Sequence, residues 1–333
     1  MDYLNAIVLI GNYILIPGMV YGSQLALGAL GVTLIYGILR FSNFAHGELM
    51  SFGAMMTIIV TWQFQAANIG LGVLPTALLA IPFGAIAAIL LSLFTDRFIY
   101  RFFRTKKAPP VTYIILSLGI MFIFSGIIRL IIGPQDRLFT DGERFIIKAR
   151  DFKAWSGLDQ GLALKMTQGG TVIVTIIAMI ALFWFLNRTR TGKSMRAYSD
   201  NADLALLSGI NPEKIVRIAW ILTAIMATIA GVLYGLDKSY KPFIFHQLLL
   251  PIFAAAIVGG IGSPIGAVVG GFVVAFSEIV ITFAYTRVIS YLVPTAFIPD
   301  GLVQLLSTDY KFAVSFVLLV TVLLIRPTGL FRG

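Results

Sequence analysis

The chain has 333 residues, of which 58% are hydrophobic and 12% charged, against roughly 25% charged in an ordinary soluble domain. Residues 3–39, 49–95, 108–128, 166–187 and 218–236 hold no Asp, Glu, Lys or Arg; a helix needs about 20 such residues to cross a bilayer, so a soluble core is excluded. The net charge of +10 lies mainly in a few connecting loops, which membrane topology explains without nucleic acid, and the lack of cysteine excludes disulfides, thiolate metal sites and cysteine nucleophiles.

These runs are apolar on every face rather than alternating, so the spans are helices and not barrel strands. The expected fold class is an all-α polytopic membrane protein of about eight transmembrane helices (eight to ten), broken near 40–48 and 259–264. No basic region followed by a small-residue cleavage site opens the chain, so the first apolar segment is expected to stay.

Residues 4–39 are too long for one upright span and are interrupted at Pro17-Gly18 and Gly22. A leading helix to about Ile16 and a second to about Leu39 are expected, with full crossing by the first left open. Apolar segments at about 49–64 and 73–94 precede a basic loop, Thr95–Pro110, where Arg97, Arg101, Arg104, Lys106 and Lys107 face one acid, Asp96. The positive-inside rule makes that loop cytoplasmic.

A span at about 111–132 leads to the nearly neutral segment 133–170, which suits an external loop, and 171–187 returns. The second basic loop, Asn187–Arg217, is cytoplasmic by the same rule. There Met195, Tyr198, Ala202, Ala205 and Leu206 recur at helical spacing, predicting one short amphipathic helix that Gly209 stops, with Asn211 and Pro212 opening the next. Such a helix reads as a docking surface for a cytoplasmic partner or as a helix lying on lipid headgroups.

Spans at about 216–236, 247–260 and 264–285, a less apolar stretch at 288–306 and a last span at 311–325 complete the chain; Arg326 and Arg332 place the C-terminus inside. The whole chain, 1–333, reads as a single transmembrane domain.

Residues 37–48 carry Arg40, Asn43, His46 and Glu48 between two apolar runs. Polar backbone at membrane depth is tolerated only beside a cavity or packed protein, and ionisable groups there mark conduction paths. A half-helix starting at Gly47 aims free N–H groups at such a site. The other reading is a surface loop with Arg40 snorkelling and Glu48 in the first turn of the next helix. A second interruption, Gly259-Gly260-Ile261-Gly262-Ser263-Pro264, resembles the paired breaks of transporters.

Gly262, Gly266 and Gly270 form a GxxxGxxxG row and Gly18 and Gly22 a single GxxxG, spacings that let helices approach closely. Glu278 and Arg129 lie in or near apolar spans, with snorkelling the simpler role for Arg129. Gly192-Lys193-Ser194 is not a phosphate-binding loop, because Asn187 stands where that pattern requires Gly and a membrane helix where it requires a strand. With His46 and His246 as the two histidines and no cysteine, no metal cluster is expected and no Ser-His-Asp arrangement has support.

The strings Gly22-Ser23, Leu34–Gly37, Asn43-Phe-Ala-His-Gly-Glu48, Gly192-Lys193, Arg196-Ala197, Asp200, Leu207–Asn211, Gly231–Leu233, Val258–Ser263 and Arg326–Gly329 resemble the permease subunits of high-affinity branched-chain amino acid ABC transporters. The resemblance covers nearly the whole chain except 133–170. It implies half of a translocation pore in a bacterial or archaeal plasma (inner) membrane, working by alternating access and performing no covalent chemistry.

It also implies a homologous second permease or a homodimer, two cytoplasmic ATPase subunits that hydrolyse the ATP, and a periplasmic or lipoprotein solute-binding protein. No cofactor is implied in this chain. Asn43, His46, Glu48, Gly259, Gly260 and Gly262 would lie near the pathway. Residues 195–209 would be the coupling helix, with Arg196, Asp200, Leu207 and Gly209 in contact with the ATPase. Urea and amide permeases are closely similar, and a stand-alone channel, an ion-coupled carrier or a membrane-embedded enzyme is the reading from another class.

Overall fold

The computed structural model describes residues 2–293, 301–326 and 328–331. Its helices are α1 (Asp2–Ile10), α2 (Ile16–Leu39), α3 (His46–Ala66), α4 (Ala77–Thr95), α5 (Arg101–Thr105), α6 (Pro110–Ile132), α7 (Ala149–Ser156), α8 (Met166–Arg188), α9 (Arg190–Asp200), α10 (Ala202–Leu207), α11 (Pro212–Lys238), α12 (Ile244–Gly259), α13 (Pro264–Thr282), α14 (Thr286–Leu292) and α15 (Lys311–Ile325). Two short antiparallel strands, β1 (Phe145–Ile147) and β2 (Leu164–Lys165), flank α7. Part of the 288–306 stretch, together with Pro327 and Arg332, lies outside the described residues.

Seven of the described helical stretches are long and apolar enough to cross a membrane, and α12 is a shorter apolar helix. The protein is therefore an all-α polytopic membrane protein of about eight spans, as the charge-free runs require. Lipid is the solvent for the outer faces of α6 and α8, where Leu130, Ile177 and Trp184 are exposed.

The expected break at Pro17 is absent. α1 and α2 form one 38-residue helical run joined by a π-helical turn, Gly11–Leu15, in which the Ile16 N–H bonds the Gly11 carbonyl. Pro17 falls in the first turn after that bulge, where the helical register has already shifted and its missing N–H disrupts little. α1 does not cross back. Ala6 and Leu9 pack on Val288 of α14, while Asn5 accepts from the Gln160 N–H at 3.0 Å and Asn12 accepts from the Ala163 N–H at 2.9 Å.

Two segments are more helical than expected. The basic run after Thr95 continues through a π-turn, Asp96–Tyr100, into α5, so Arg97–Thr105 prolongs α4 and is not a loop. The predicted single helix at 195–209 is two helices, because Asn201 adopts an extended backbone and its side chain caps α10 by accepting from the Leu204 N–H at 3.0 Å. Gly209, at φ +77°, ends α10, and Asn211 caps α11 ahead of Pro212 as its sequence predicts.

α2 is the axis of the bundle, buried along almost its whole length between α11, α12 and α13. Close approach of helices throughout the bundle uses glycine. A side chain at Gly270 would overlap the Ala255 carbonyl, one at Gly266 the Gly259 carbonyl and one at Gly231 the Met50 carbonyl, whereas Gly18 and Gly22 receive the rings of Phe276 and Phe272. Gly262 stands apart from this row: it has φ +93° and open space around it.

Both basic segments meet at one end of the bundle. There Arg104 pairs with Asp96 and Glu213, and Arg101 with Glu213. The loops 67–76 and 133–165, together with α1 and α14, occupy the opposite end.

Candidate functional site

α2 ends where Arg40 turns into the left-handed region, φ 57°, and its guanidinium donates to the Ser199 carbonyl of α9. From there the chain turns inward. The Phe44 N–H donates to Ser117 Oγ at 3.2 Å, and His46 Nε2 lies 3.0 Å from the Gly28 carbonyl. A Cβ on Gly31 would meet the His46 ring, and Thr223 Oγ1 donates to the Gly31 carbonyl at 3.1 Å.

Those partners measure depth. Gly31 lies about 12 Å along α2 from Leu39, and Thr223 about 16 Å along α11 from Pro212, at 1.5 Å per residue. In a hydrocarbon core of about 30 Å, α3 therefore begins near the middle. Phe41, Asn43, Ala45, His46 and Glu48 are all buried. Of the two readings of 40–48, the structure has the intramembrane break.

The three polar side chains of this break diverge. Asn43 Oδ1 accepts from the Ala45 N–H at 3.1 Å and from the Tyr100 hydroxyl at 3.3 Å, closing an Asx turn over the π-helical end of α4. His46 faces α2, and its Nδ1 has no protein partner. Glu48 points into a cavity of about 320 Å³ that it lines with Ser125, Arg129, Phe243 and His246, and its Oε2 is likewise unpartnered.

The second interruption, 260–263, sits at the basic end. Gly260, at φ +113°, and Gly262 make the turn, and Ser263 caps α13 by accepting from the Gly266 N–H at 3.1 Å. The C-terminal segment pairs with the end of α12, Leu330 N–H to the Val258 carbonyl at 2.8 Å and Phe331 N–H to the Gly259 carbonyl at 3.0 Å.

A cavity of about 500 Å³ joins this turn to α9: Gly37, Lys193, Arg196, Asp200, Gly262 and Pro264 line it. Arg196 and Asp200 are thus brought together with Gly262. Leu207 and Gly209 are not; Leu207 is 86% exposed at the tip of α10, beside the exposed Leu204 and Leu206. Ser199 closes the α2–α9 contact from the other side, its hydroxyl donating to the Gly37 carbonyl at 3.1 Å.

Sequence reasoning missed a buried network behind Asn43. Trp220 Nε1 donates to Asp96 Oδ1 at 2.9 Å, Arg104 donates to the same carboxylate at 2.8 and 3.3 Å, and Tyr100 stacks on Trp220 with ring centroids 5.3 Å apart. The signal available was Asp96 as the lone acid in a basic run. Also unforeseen is the bond that Glu278 accepts from the Ser315 hydroxyl, beside Tyr21 and Lys311. Among the described residues no group of three or more His, Cys, Asp or Glu is placed to hold a metal ion.

A helical membrane bundle with a polar break at mid-depth and a pair of polar helices between two spans defines a transport permease. The chain belongs to the family of branched-chain amino acid transport system permease components, whose pattern matches residues 14–323. It is 31% identical to the high-affinity branched-chain amino acid transport system permease protein LivH of Salmonella typhimurium, over 94% of this chain and 92% of that protein. It is 29% identical to the corresponding protein BraD of Pseudomonas aeruginosa, over 95% and 94%, and 28% identical to a probable LivH of Methanocaldococcus jannaschii, over 96% and 93%. These relatives are transport permeases and not enzymes. No solved structure matches the chain.

Proposed function

We propose that the protein is the permease subunit of an ABC importer in a bacterial or archaeal inner membrane, forming as one transmembrane domain half of the pore for branched-chain or related amino acids. The observation that carries the assignment of an energy-supplying partner is the tip of α10, where Leu204, Leu206 and Leu207 are exposed between two spans. Three leucines turned outward at a polar end of the bundle fit a protein groove better than water.

In this reading the basic end is cytoplasmic, with the C-terminus there and residues 133–170 outside. α9 and α10 dock on one of two ATPase subunits, which hydrolyse ATP, through Arg196, Asp200, Leu207 and Gly209. A second permease, homologous or identical, supplies the other half of the pore, and a periplasmic or lipoprotein receptor delivers the solute. Asn43, His46, Glu48, Gly259, Gly260 and Gly262 border the path, which alternates between outward and inward states as the ATPases close.

The test is leucine uptake into proteoliposomes holding the full assembly. Uptake requires ATP and both partner classes, and Leu207→Asp lowers it about tenfold or more, the value of burying one leucine at an interface. Uptake by the permease without any ATPase subunit overturns the assignment.

A further inference from the structure

The cavity between α3, α6 and α12 holds two opposite charges that do not pair. Glu48 is 2% exposed with Oε2 unpartnered, and Arg129 lines the same space, yet no contact within 4 Å joins carboxylate and guanidinium. Arg129 is held instead over the Phe243 ring, 4.0 Å from its centroid. Glu48 is buried while Arg129 is exposed on the open side of the same space; a buried carboxylate without a partner is costly, and a solute that brings a positive charge to Glu48 and a negative one to Arg129 matches both.

The rest of the lining is mixed, with Ser125, His246 and Gln247 polar and the remainder apolar or small. Met121, Phe122 and Phe243 form its walls, and Gly126 on α6 leaves the floor open. The volume, about 320 Å³, is of the size that takes a small organic solute. The cavity reaches from the end of α6 opposite the basic segments, where Arg129 sits one turn from Gly133, down to the mid-depth start of α3.

We propose that this cavity is the permease's own binding site for a zwitterionic amino acid: Glu48 takes the α-ammonium, Arg129 the α-carboxylate, and Met121 and Phe243 the aliphatic side chain. The assignment rests on the import reading above and adds to it a site within the membrane where the solute is held by its two charges. Guanidinium recognises a carboxylate through two parallel hydrogen bonds, and stacking on Phe243 orients its plane for that. A solute lacking either charge leaves one protein charge unmatched, so the site rejects it by charge rather than by shape.

The chain has no cysteine, so Gly126→Cys, at a position where a side chain meets nothing within 4 Å, introduces a single thiol at the cavity. In the assembled transporter, without receptor, modification of this thiol by a methanethiosulfonate reagent is followed at rising concentrations of leucine, leucinamide and 4-methylpentanoate. Leucine protects saturably, and the two analogues need about tenfold or more higher concentration for equal protection. Glu48→Gln narrows the gap between leucine and 4-methylpentanoate, and Arg129→Gln narrows that between leucine and leucinamide; these are ratios within one variant, so a general loss of folding does not imitate them.

Equal protection by all three compounds, or none by leucine, overturns the site. ATP-driven leucine uptake by the same unsubstituted assembly separates the two levels. Uptake without protection removes the zwitterion site and leaves the importer standing, whereas failure of both removes the importer as well.

Discussion

Trp220→Phe and Asp96→Ala, made singly and together, measure the network that ties the end of α4 to α11. Trp220 donates to a carboxylate that also receives two bonds from Arg104 and is only 5% exposed. A hydrogen bond to a charged group contributes about 1.5–3 kcal/mol. The phenylalanine keeps the stack on Tyr100 but loses that bond and some volume, for a single-variant cost of about 2–4 kcal/mol.

Asp96→Ala strands Arg104 with Glu213 as its remaining partner and costs about 3–5 kcal/mol. The volume terms cancel in the cycle, leaving a coupling of about 1.5–3 kcal/mol; Asp96→Asn, which keeps an acceptor but no charge, lowers the coupling to about half. Unfolding in mixed micelles by added dodecyl sulfate, followed by far-ultraviolet circular dichroism, supplies the four stabilities. Additivity within about 0.5 kcal/mol refutes the network as an energetic unit.

Gly231→Ala forces a methyl into the Met50 carbonyl, whose carbon would lie 3.0 Å away, and costs about 1–3 kcal/mol, while Gly119→Ala, in open space on α6, does not destabilise; the same unfolding titration compares them. Ser199→Ala removes the bond to Gly37 and lowers stability by about 0.5–1.5 kcal/mol, and hydrogen exchange at the last turn of α2 rises if that hydroxyl holds it. Burial alone would raise the Asp141 carboxyl, but bonds from Thr76 and Gln65 outweigh it and hold the group below its ordinary value of 3.8. Its folded value being depressed, the stability it lends the 67–76 and 133–143 loops is present above pH 3.8 and is lost as the pH falls through the lower folded value. Limited acid proteolysis of these loops in the Asp141→Asn variant, cleaved equally at pH 3 and 5 where the unsubstituted protein is cleaved faster at about pH 3, checks the sign.

The spans were readable because lipid imposes a condition that needs no partner: a run such as 166–187 without a charge must be a helix whatever packs on it. That 40–48 interrupts such a run was readable from Asn43, His46 and Glu48, but not its depth: a surface loop fitted the sequence as well, and the contacts of His46 with Gly28 and Gly31 decide between them. What escaped depends on contacts distant in sequence. Asp96 does not announce Trp220, and Asn201 reads as one more polar residue on a helix face until its side chain is seen capping α10. Pro17 misled because a π-turn, a device with no residue signature of its own, absorbs it. Glu48 and Arg129 were each visible alone, but α3 and α6 had to be packed before the two faced one space.

Ser199 grips α2 twice, by its carbonyl on Arg40 and its hydroxyl on the Gly37 carbonyl. α2 is one unbroken helix closely packed along its length, with Gly18 and Gly22 against the rings of Phe276 and Phe272, Gly28 against Ile252 and Gly31 against His46, which leaves it little room to bend. The helix that α9 holds at Gly37 and Arg40 is thus the same one that carries Gly28 and Gly31, against which the His46 ring rests. Between this helix and α3 the five residues from Phe41 to Ala45 are the non-helical link, so any relative movement of the two helices falls on their backbone torsions.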